Sequence, residues 1–62
     1  MKFAIYNPHR SGYYAGGTFF HDWKKSEVFL TKEDAEAYLK VIKNKFKAVA
    51  PSFKDLFVRQ VE

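Results

Sequence analysis

The spacing of apolar positions along this chain changes at Thr31. Beyond it, Ala35, Tyr38, Leu39, Ile42 and Phe46 recur at helical intervals and make one apolar stripe, which predicts an amphipathic helix over Lys32–Lys47. Thr31 is placed to cap it. Asp34, three residues on, completes a capping-box spacing with Asp in place of the usual Glu. Glu33, Asp34 and Glu36 crowd the first turns and Lys43, Lys45 and Lys47 the last, the sign order that the helix dipole favours. Leu30 and Ala35 stand at the spacing of a hydrophobic staple, and Glu36 and Lys40 form an i, i+4 pair on the wet side.

Before Thr31 the pattern is that of strands. Lys2–Tyr6 alternates, with Phe3 and Ile5 on one side and Ala4 and Tyr6 on the other. Asn7–Gly12 is dense in turn residues and should reverse the chain. Tyr13–Phe20 then reads as a second strand, with Gly16-Gly17 marking a bulge, a bend or a break in its middle. A polar connection, His21–Lys25, carries the only Trp, and Glu27–Leu30 reads as a short third strand running into the helix cap. After the helix, Pro51 interrupts the chain and Ser52–Lys54 suits a short turn. Asp55–Val61 closes as a last strand, either with Leu56 and Val58 or with Phe57 and Val61 toward the helix.

These elements predict an α+β fold: one small antiparallel or mixed sheet in the order β-β-β-α-β, with the helix on one face. The third and last strands would be parallel, through a right-handed crossover, if they are neighbours. One helix covers one face only, yet large side chains occupy both sides of every predicted strand. Either the second face is an open apolar surface of the kind that marks an interaction site, or loop residues and the 48–55 segment fold back over it. Two copies pairing through that face would make a homodimer.

Sixty-two residues leave room for one domain, residues 1–62, and for a thin core. There is no Cys, hence no disulfide and no thiolate metal site, so packing rests on twelve aromatics. No apolar run approaches the ~18 residues of a membrane span, and no signal-peptide run follows Lys2. With no Cys, this suits a cytoplasmic protein. The formal charge of +4 favours an acidic partner, nucleic acid among them.

Catalytic or metal chemistry finds little support. Ser11 lies in a turn, and the chain is too short to wall a dry cleft around it. His9, His21 and Asp22 have neither helical His spacing nor a Cys pair, and Asp22 suits a bond to nearby backbone amides. The chain therefore reads as a binding protein without cofactor or metal, not an enzyme. Trp23 with Lys24 and Lys25 after it and Phe19 and Phe20 before it, and Arg10 beside Tyr13 and Tyr14, are the candidate contact clusters, with Arg59 on the last strand able to join either. Trp, Tyr and Arg dominate protein hot spots. The same residues, with Lys24, Lys25, Lys40, Lys43 and Lys47 on phosphates, would serve a nucleic-acid binder that stacks bases.

Two resemblances bear on the partner. The run Glu27-Val28-Phe29-Leu30-Thr31-Lys32-Glu33-Asp34-Ala35, after an aromatic hairpin and a Trp, resembles small accessory proteins of bacteriophages and prophages, which implies docking on a host enzyme or defence complex. The order of strand, Gly turn, Trp and a Phe-x-Thr-x-x-x-Ala helix start is also similar to the hybrid-binding domain of eukaryotic-type ribonuclease H. The chain departs from that domain because the helix expected after the Trp is missing: Trp23 and Phe29 are six residues apart.

Overall fold

Asn7 makes the first reversal of the chain. Its buried side-chain Oδ1 accepts from the backbone N–H groups of His9 (2.9 Å) and Arg10 (3.3 Å), an Asx turn that hands the chain to Ser11 in the left-handed region (φ 51°). In a computed structural model describing residues 1–62, this turn joins β1 (Phe3–Asn7) to β2 (Gly12–Ala15). Gly12 lies close against Phe19, since a Cβ there would be 3.0 Å from Phe19 Cβ and Phe19 would have to give by a few tenths of an ångström.

A second reversal follows at once. Gly16 (φ 56°) and Gly17 (φ 89°) both have positive φ and form a two-residue hairpin loop between β2 and β3 (Thr18–Phe20). The eight-residue strand expected over Tyr13–Phe20 is therefore a hairpin. The third strand is Thr18–Phe20, and of Glu27–Leu30 only Phe29 pairs, exchanging two 2.8 Å hydrogen bonds with Phe3.

The helix, α1, runs Lys32–Lys45. Thr31 Oγ1 accepts from Asp34 N at 3.1 Å, as the capping spacing predicts. The helix ends at Lys45, two residues short of Lys47, with Phe46 as the C-cap, and Pro51 opens a 3₁₀ helix at Pro51–Asp55 before β4 (Phe57–Gln60). β4 adds antiparallel to β1, giving the order β3-β2-β1-β4 with every pairing antiparallel. Phe29 and Gln60 flank Phe3 from opposite sides, so the expected third and last strands are not neighbours.

The core lies between α1 and one face of the sheet. Ile5, Tyr14 and Leu56 meet Leu39 and Ile42, with Phe19, Phe29, Tyr38, Phe46, Phe53 and Val58 around them. Burying a side chain such as Ile5 contributes roughly 1.5–3 kcal/mol. Leu56 and Val58 face the helix, which decides the orientation of the last strand.

Glu27 ties this layer together. Its carboxylate accepts from Gly16 N (3.1 Å) and from the Tyr38 hydroxyl (3.0 Å), and its own N–H donates to Tyr14 O. Burial, then the hydrogen bond and negative charge of Glu27, hold the Tyr38 hydroxyl above the usual phenol range.

Candidate functional site

The face of the sheet turned away from α1 carries a transverse row of aromatics, one from each strand. In register, Phe20 of β3 opposes Tyr13 of β2, Tyr13 opposes Tyr6 of β1, and Tyr6 opposes Phe57 of β4. The Tyr6 and Tyr13 ring centroids are 5.0 Å apart, and Tyr6 and Phe57 meet edge-on at 5.7 Å. Tyr6 and Tyr13 are half-buried by their neighbours, whereas the end rings are open, Phe57 at 45% and Phe20 at 36% exposure.

Cations border the row. The Arg59 guanidinium carbon lies 4.8 Å from the Tyr6 ring centroid, and the Lys2 ammonium 5.7 Å from that of Trp23. Lys2 also pairs with Glu62 at 3.1 Å. Ala4 opposes Arg59 in register and points the same way, yet it is fully buried, so long side chains roof that end of the face.

Nothing folds back over the aromatic row from the 48–55 segment. Phe53 packs on the helix side, edge to face with Tyr14 (6.4 Å) and Phe19 (5.6 Å) and beside Phe46 (5.2 Å).

Of the residues expected to contact a partner, Tyr13, Phe20 and Arg59 come together on this face. Trp23 is half-buried in a one-turn 3₁₀ helix, Trp23–Lys25, which Asp22 caps by accepting from Lys24 N at 3.0 Å. Lys24 and Lys25 are exposed on that turn, and Arg10 is exposed in the β1–β2 turn. Tyr14 is corrected. It is 5% exposed and belongs to the core, because the hairpin sets it against Phe19 beneath α1 while its neighbour Tyr13 points outward. Tyr6 and Phe57, which the sequence did not single out, complete the row; their outward alternation was visible in sequence, their alignment across strands was not.

Elsewhere, His9 Nε2 and Asp55 Oδ2 lie 2.6 Å apart and join the β1–β2 turn to the Pro51–Asp55 helix. The hydrogen bond from His9 holds the Asp55 carboxyl below its ordinary range. No group of three or more His, Cys, Asp or Glu side chains converges anywhere. No helix is long and apolar enough to cross a membrane. On the helix layer, the C-terminal half of α1 and the Pro51–Asp55 helix border a groove that gathers Lys40, Lys43 and Lys47 with Lys45 and Lys54, but not Lys24 or Lys25. No family model, curated protein or solved structure matches the chain.

Proposed function

We propose that this chain is a non-enzymatic binding domain that docks on a larger protein through its open sheet face. The observation that carries the reading is the row Phe20–Tyr13–Tyr6–Phe57, an aromatic surface spanning all four strands whose end rings stay open, Phe57 at 45% and Phe20 at 36% exposure. Phe57 and Phe20 are its free anchors, and Tyr13 and Tyr6 form its packed centre. Rigid aromatics of this kind lose little side-chain entropy on binding and dominate interface energetics.

A protein fits this face better than a base-stacking nucleic acid. Stacking on an open sheet needs free ring faces with free cations between them. Here Arg59 is stacked against Tyr6, and Lys2 is engaged by Glu62 and Trp23. The resemblance of the Glu27–Ala35 run to phage accessory proteins points to a host enzyme or defence complex as the partner, with modulation or inhibition as the outcome.

The test is tagged capture from lysate of the source cells, with and without nuclease and at low and high salt. The reading expects one defined protein that survives both treatments. Recovery that disappears with nuclease transfers the function to nucleic acid. A dimer of this chain in sedimentation, with no other partner, assigns the face to self-association.

A further inference from the structure

The groove on the helix layer has a charge pattern of its own. Lys40, Lys43, Lys45 and Lys47 of α1 and Lys54 of the Pro51–Asp55 helix line it, with Glu36 as the single acid. Its formal excess equals that of the entire chain, +4, so the remaining surface balances to zero. None of the five lysines is in an ion pair, whereas Lys2 pairs with Glu62. Between Glu36 and Asp55 there is no acidic residue at all, and Asp55 is held by His9 at 2.6 Å.

A solvated helix face ordinarily interleaves both signs at i, i+4. Five unpaired cations around one concavity instead repel each other and raise a positive potential that an anion relieves. We infer that this groove binds the phosphate backbone of a nucleic acid, without reading its sequence. Of the apolar residues that line the groove, Leu39 and Phe53 are packed in the core and Val41 is 60% exposed. Lysines act as mobile point charges on phosphates, and no Arg is present in the groove to fork a carboxylate. The inference does not rest on the sheet face, which lies on the other side of the sheet from α1.

Fluorescence anisotropy with a labelled duplex DNA, titrated between about 50 and about 200 mM salt, tests it. Four neutralised phosphates predict a log–log slope of about −3.6, a loss of affinity on the order of a hundredfold over that range. The variant K40Q/K47Q/K54Q removes three exposed groove lysines; it should lose about tenfold or more in affinity and flatten the slope by ~2 to 3. The variant K24Q/K25Q/K32Q removes the same charge from exposed positions outside the groove and should change affinity by less than about threefold. Circular dichroism confirms that both stay folded. Equal losses in the two variants overturn the inference, because binding then follows net charge and not the groove. Binding of poly-L-glutamate with no binding of DNA also overturns it, in favour of an acidic protein. Phe57→Ser, which alters the sheet face, should leave DNA affinity unchanged.

Discussion

The Arg59 guanidinium lies 4.8 Å from the centroid of the Tyr6 ring, one strand away on the open face of the sheet. That contact keeps the one cationic side chain of β4 against the surface, beside the Phe57 ring, which is 45% exposed. In the proposed docking role, a partner would meet a preordered surface, which reduces the entropy cost of binding.

Adjacent tyrosines on β2 should behave in opposite ways. Tyr14→Ala removes a buried ring from the core and should cost about 3–5 kcal/mol. A domain of this length has only roughly 3–9 kcal/mol in total, so much of this variant should be unfolded. Tyr13→Ala removes a ring from the open face and should leave the fold intact, with a smaller drop in stability. Thermal melts of the two variants followed by circular dichroism check this; similar melting temperatures would contradict the assignment of faces.

The Tyr13/Tyr14 pair also shows where sequence reading stopped. Helical spacing, the Thr31 cap and the acidic first turn made α1 legible to within two residues, because a long periodic segment reports its own packing. Gly16-Gly17 was equally compatible with a bulge, a bend or a break. A change of one residue in register exchanges the two faces of a strand. Read as one strand, Tyr13 sides with Phe19; closed as a hairpin, it sides with Phe20. Glu27 gave no signal either, since its partners Gly16 and Tyr38 each lie eleven residues away, on opposite sides in sequence.

Gly17 should resist substitution through backbone conformation, not through space. A Cβ there meets nothing within 4 Å, but φ is 89°. Gly17→Ala should therefore cost about 1–2 kcal/mol, and Gly17→Asn less, since Asn tolerates positive φ. Chemical denaturation of both variants gives the comparison.

Burial and the Glu27 contact raise the Tyr38 pKa, so folding favours the protonated phenol. Because the folded value is raised, this contribution is complete below the ordinary phenol value, about 10, and is lost as the pH rises through the folded value. Ultraviolet titration should show Tyr38 ionising later in wild type than in Glu27→Gln, which keeps the shape of the side chain and removes its charge. Coincident titrations would contradict the coupling.

At the acid end, the contact runs the other way. The Asp55 carboxyl is lowered chiefly by the hydrogen bond from His9. Its contribution to stability is present above the ordinary carboxyl value, about pH 4, and is lost as the pH falls through the lowered value. In His9→Ala the Asp55 carboxyl should titrate closer to its ordinary range, as followed by NMR of the side-chain carboxyl carbon. An unchanged Asp55 titration would assign the shift to something other than His9.

The claim that the aromatic row is a docking face meets its most direct test in Phe57→Ser. This ring is 45% exposed at the end of the row and lies outside the core, so the substitution should shift the melting temperature little. The measurement is quantitative capture of the protein partner by wild type and by this variant, beside their melting curves. The account predicts loss of the partner with the fold retained. Capture at the wild-type level by the folded variant would contradict it and remove the open sheet face as the site.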